Sequence, residues 1–81
     1  MLSDEQFRRL LTDCRFDGRG QRPGFVAFNA PCVAARVAAQ CGVTHEHALR
    51  DVEQRARKLG GELVEDEVLW LPDGELQALD S

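Results

Sequence analysis

The chain of 81 residues has no apolar run approaching the ~18 residues that a bilayer-spanning helix needs. Its opening, Met1-Leu2-Ser3-Asp4-Glu5-Gln6, lacks both the basic start and the apolar stretch of a secretory signal. The expectation is an unprocessed, soluble, cytoplasmic protein with no membrane partner. Cysteine is scarce and odd in number. Cys14, Cys32 and Cys41 leave no closed disulfide framework and read as free thiols in a reducing compartment. Internal repeats and low-complexity tracts are missing, and residues 62–81 contain no base.

Catalytic signatures are missing too. There is no G-x-S-x-G elbow and no P-loop. Gly18-Arg19-Gly20 opens like a dinucleotide fingerprint, but it follows a helical pattern instead of a strand, and Gly24 falls one residue late for the third glycine. Cys41, His45 and His47, with Cys32 nearby, are zinc-ligand residue types, yet C-x3-H-x-H matches no standard site. Cys32 stands just inside a helix start, which lowers a thiol pKa, but no base or oxyanion group accompanies it in sequence. Glu65, Asp66 and Glu67 fall on an exposed tip where nothing would raise a carboxyl pKa. No enzyme, metal or cofactor is expected.

What is present suits one small globular domain, with 43% hydrophobic and 30% charged residues. A domain this size buries only about 60% of its unfolded surface, so a deep substrate cavity is not expected. Charge is divided along the chain. Residues 1–61 hold all ten bases and seven acids, a net of +3, whereas residues 62–81 hold seven acids, against an overall net charge of -4. The front is suited to a polyanion and the back repels one.

Periodicity predicts a first helix over about residues 4–14. Ser3 and Gln6 form a capping-box pattern, and Phe7, Leu10, Leu11 and Cys14 make one apolar stripe. Residues 15–24, with three glycines, a proline and three arginines, read as a basic surface loop. Phe25 to Phe28 is a short strand. A second helix starts at Pro31, capped by Asn29 or Ala30; Val33, Ala34, Val37, Ala38 and Cys41 face the core, and Gly42 is its stop. Thr44 caps a third helix with an apolar face of Ala48, Leu49, Val52, Ala56 and Leu59, closed by Gly60-Gly61. Residues 62–64 and 68–71 flank Glu65-Asp66-Glu67 as a tight hairpin. Residues 72–74 are a turn, and residues 76–79 add a last helical turn. Trp70, with Phe7, Phe25 and Phe28, is expected to close the core.

This α+β order of helix, short strand, helix, tight turn, helix and C-terminal hairpin resembles a winged helix-turn-helix domain, with its core over about residues 3–71 and a tail over 72–81. The local match is Val37-Ala38-Ala39-Gln40-Cys41-Gly42-Val43-Thr44: a small residue where the helices cross, then a glycine, an apolar plug and a cap. Ala48-Leu49-Arg50-Asp51-Val52 is similar to the recognition helix of winged bacterial sugar-operon repressors. The resemblance implies a small DNA-binding regulator or accessory factor whose third helix enters the major groove of double-stranded DNA. It places contacts at Thr44, His45, His47, Arg50, Gln54, Arg57 and Lys58. Arg15, Arg19, Arg22 and Arg36 are candidates for further phosphate contacts. One such module binds modestly, so a homodimer or larger assembly is expected.

A competing reading comes from the same residues. Glu46 and Arg50, Asp51 and Arg55, and Glu53 and Arg57 are spaced to pair at i, i+4, which makes the third helix a charge-laced solvent face. The hairpin tip Glu65-Asp66-Glu67 would be repelled by phosphate. On this reading the domain is a protein-interaction module that docks its acidic wing and tail on a basic partner.

Overall fold

The computed structural model describes residues 2–16 and 22–74. Across these residues the domain is α+β, with three named helices and one three-stranded antiparallel sheet. Chain order is α1 (Asp4–Thr12), β1 (Phe25–Asn29), α2 (Ala30–Cys41), α3 (His45–Lys58), β2 (Glu62–Val64) and β3 (Val68–Pro72). No described helix is long and apolar enough to cross a membrane.

Helix α1 begins with the expected reciprocal cap: the Ser3 hydroxyl accepts from the Gln6 amide, and the Gln6 side chain accepts from the Ser3 amide. It buries Phe7, Leu10 and Leu11 and ends at Thr12, capped by Asp13, two residues short of the expected boundary. Cys14 remains buried because its carbonyl, freed from the helix, accepts from the Asn29 amide at 2.7 Å. Residues 15 and 16 then run beside β1: Arg15 bridges Phe28, and the Phe16 amide donates to Ala27.

Asn29 ends β1 and caps α2, accepting from the Cys32 amide at 3.2 Å, with Pro31 in the first turn where its missing N–H costs nothing. Ala30, Val33, Ala34 and Val37 form the buried stripe of α2. Gly42 ends the helix at φ 68°, a left-handed conformation that a side chain would strain. Two residues later the Thr44 hydroxyl accepts from the His47 amide and starts α3. Alanines at 34, 48 and 56 have no exposed surface, which lets the helices approach closely.

The last strand lies in the middle of the sheet, in the order β1-β3-β2. Phe28 pairs with Leu69 and Leu63 also pairs with Leu69, so these side chains share the face turned to the helices. Phe7, Leu11, Phe28, Val33, Val37, Val52, Leu69 and Leu71 are the large members of the single core.

Two expectations about the core are corrected. Cys41 is exposed, not part of the helix interface. The chain turns at Gly42 before α3 can cover the last turn of α2, leaving Cys41 at a hollow of about 260 Å³ with Leu2, Val43 and His47. Trp70 and Phe25 are half-buried, not closing the core. Leu69 and Leu71 point inward, so strand alternation turns Trp70 to the opposite face. The expected last helical turn at 76–79 lies outside the described residues.

The hairpin tip is strained. Glu65 and Asp66 both adopt positive φ, 53° and 57°, closed by a Glu67 amide to Val64 carbonyl hydrogen bond. A left-handed conformation costs a side-chain-bearing residue ~1–2 kcal/mol, and such turns favour Asn-Gly. Asp66→Gly is therefore expected to stabilise the domain by about 1 kcal/mol in urea denaturation. An unchanged or lower midpoint would contradict this account of the turn.

Candidate nucleic-acid interface

Helix α3 turns Ala48, Val52 and Ala56 into the core, so residues half a turn away point outward. His47, Arg50, Gln54, Arg57 and Lys58 make up that outward stripe, and all five are exposed. Thr44 and His45 are exposed at its N-terminal end, where the Thr44 hydroxyl is occupied by capping. The seven α3 candidates thus lie on one rigid element.

All three expected i, i+4 ion pairs form, but they are not equivalent. Arg50 stands 3.9 Å from Glu46 and Arg57 stands 3.7 Å from Glu53, with the arginine side chains 78% and 73% exposed. Pairs this exposed are worth at most ~1 kcal/mol, so either arginine exchanges its carboxylate for another anion at little cost. The Asp51–Arg55 pair is different.

Arg55 is only 16% exposed. Its Nε donates to Asp51 at 3.1 Å, one terminal nitrogen donates to the Leu2 carbonyl at 2.7 Å, and the other reaches Asp4 at 3.3 Å. The guanidinium also lies 5.3 Å from the centre of the Phe7 ring. Arg55 therefore fastens α1 to α3. Spacing alone showed only its pair with Asp51; the contacts with α1 carry no local signal.

Of the expected arginines outside α3, the described ones do not gather beside it. Arg22 lies on the sheet face turned away from the helices, 4.5 Å from the Phe25 ring and 5.7 Å from the Trp70 ring, and donates to Glu62 at 3.0 Å. Arg36 is 3.5 Å from Asp13 beside α1. Arg15 is exposed just after α1, and Arg19 lies outside the described residues.

Glu65, Asp66 and Glu67 are all exposed at the hairpin tip. Asp66 lies across from α3, where Glu46, Arg50 and Glu53 line a shallow cleft of about 210 Å³ together with Leu49 and Leu63. The cleft thus holds three carboxylates and one guanidinium above two apolar side chains. Among the described residues no group of three or more His, Cys, Asp and Glu side chains is placed to hold a metal ion.

No family model, curated protein or solved structure matches the chain. What this face can bind follows from its own residues.

Proposed function

We propose that this domain is a winged helix-turn-helix DNA-binding protein, a small regulator or accessory factor that lays α3 in the major groove. The observation that carries the reading is the outward stripe of α3. It places two weakly paired arginines, a lysine, a glutamine and a histidine on a helix rigidly fixed to the core. The Gly42 turn between α2 and α3 and the hairpin that follows α3 also fit this class.

In the proposed complex Arg50 and Gln54 face base edges, since guanidinium and carboxamide groups can contact guanine and adenine through two hydrogen bonds each. Arg57 and Lys58 neutralise phosphates, and Thr44, His45 and His47 approach the backbone at the other end of the helix. Arg22 is held on the far face of the sheet by Glu62, Phe25 and Trp70, and Arg36 lies beside α1, so α3 supplies the principal contacts.

Fluorescence anisotropy with a mixed-sequence duplex tests this. Binding is expected in the micromolar range at low salt, with log affinity falling by ~0.9 per phosphate contact for each tenfold rise in salt. No binding at low salt would remove the proposal.

The acidic hairpin tip favours a second reading, docking of a basic protein on Glu65, Asp66 and Glu67, all three exposed. Two acidic residues are held there in a strained turn, as functional sites often require. In a cellular assay this reading predicts that Glu65→Lys with Asp66→Lys abolishes activity while Arg50→Glu with Arg57→Glu does not. DNA binding predicts the reverse ranking.

A further inference from the structure

Cys14 and Cys32 are 18 residues apart in sequence, yet their sulfur atoms lie 2.7 Å from each other. Cys14 follows α1 and is held buried by backbone hydrogen bonds at both ends: its amide donates to Leu11 and its carbonyl accepts from Asn29. Cys32 occupies the first turn of α2, where its amide is tied to the Asn29 cap. These bonds hold both backbones, and the sulfurs need to close by only about 0.65 Å to reach the ~2.05 Å of a disulfide. Cys32 is the more accessible of the two, and Cys14 lies behind it in the core.

We propose that Cys14 and Cys32 form a reversible redox pair in which Cys32 reacts with a peroxide and Cys14 resolves the product as an intramolecular disulfide. In the first step the Cys32 thiolate attacks one peroxide oxygen. An S–O bond forms, the O–O bond breaks, and the departing hydroxide takes a proton to become water. In the second step the Cys14 sulfur attacks Cys32. The S–S bond forms, the S–O bond breaks, and the Cys14 proton leaves with the hydroxide as a second water. Two thiols lose two electrons, and one hydrogen peroxide becomes two waters. A dithiol reverses the change by exchange.

The surroundings divide these roles. The hydrogen bond from Cys14 lowers the Cys32 pKa, aided by the neighbouring Arg36 guanidinium. Burial, together with the hydrogen bond to Cys32, pushes Cys14 up to about 12. Cys32 is thus the group that ionises and attacks first, while Cys14 keeps its proton until the sulfenic acid is beside it.

The test uses the full chain carrying Cys41→Ser, which removes the exposed thiol and with it intermolecular disulfides. Stoichiometric hydrogen peroxide is expected to lower the free-thiol count from two to zero and the intact mass by two hydrogens. Peptide mapping should then find residues 14 and 32 joined. The oxidised form should melt on the order of 10 °C or more higher, because the new link closes a loop of this length in the unfolded chain. Dithiothreitol should restore both thiols. Adding Cys14→Ser should make a dimedone-reactive sulfenic acid accumulate on Cys32. Two surviving thiols, or Cys32 oxidised to sulfinic acid with no 14–32 link, would overturn the proposal even if Cys14→Ser does not fold.

Discussion

Arg50→Glu combined with Arg57→Glu is expected to lower affinity for duplex DNA on the order of 100-fold, with the fold intact. Both side chains project from the solvent face of α3, and neither contributes to the core. Stability should fall by only about 1 kcal/mol, because each glutamate turns an attractive i, i+4 pair with Glu46 or Glu53 into a repulsive one. Each reversal removes one phosphate or base contact and adds a repulsive carboxylate. The slope of log affinity against log salt should become shallower by about 2 if both arginines release counterions. Glu65→Lys with Asp66→Lys should leave binding unchanged or strengthen it, since it removes repulsion beside the same helix. Anisotropy titrations at two salt concentrations, with circular dichroism of each variant, decide the matter. Wild-type affinity in the double arginine variant would rule out α3 as the contact surface.

Gly61→Ala should be the most damaging small substitution in the domain. The Gly61 amide donates to the Ala56 carbonyl at 2.7 Å and finishes the C-terminal cap of α3, and β2 starts at the next residue. A methyl group at Gly61 would overlap the Trp70 carbonyl oxygen and stand 2.9 Å from Leu71 Cδ2. Trp70 pairs with both Glu62 and Ala27, so its backbone cannot retreat without loosening strands on either side. The expected loss is about 3 kcal/mol, or roughly 12–24 °C in Tm for a domain of this size. Gly74→Ala, where an added methyl meets nothing within 4 Å, is the matched control and should stay within ~0.5 kcal/mol of wild type. Equal melting temperatures for the two variants would contradict the close contact between Gly61 and β3.

Boundaries set by short-range chemistry were legible in the sequence. The Ser3–Gln6 cap, Asn29 before Pro31, the Gly42 stop and the Thr44 start each depend on a few adjacent residues, and each stands where those residues place it. Val68-Leu69-Trp70-Leu71 is apolar throughout, so nothing in the strand pattern marks which face is covered, and Trp70 lies on the outer one. The stripe rule extended the buried face of α2 to Cys41 because periodicity does not register where the neighbouring helix departs.

The candidate site was legible only in part. The outward residues of α3 follow from its apolar face, whereas the division of labour among the arginines does not. Arg55 and Arg57 look alike in sequence, yet one fastens α1 to α3 and the other projects into solvent. The Arg22 contacts with Trp70 and Glu62 and the Cys14–Cys32 contact join residues distant along the chain. No local pattern encodes them.

The central place of β3 bears on how the protein comes off the ribosome. Of the described strands, β1 and β2 each pair only with β3, and Phe28 and Leu63 both stand opposite its Leu69. A nascent chain that stops short of Val68 can form its helices but not its sheet, and it leaves the edges of both outer strands that face β3 unpaired. Folding therefore waits until nearly all the described residues have been synthesised. Until then the emerging chain is a substrate for chaperones and proteases.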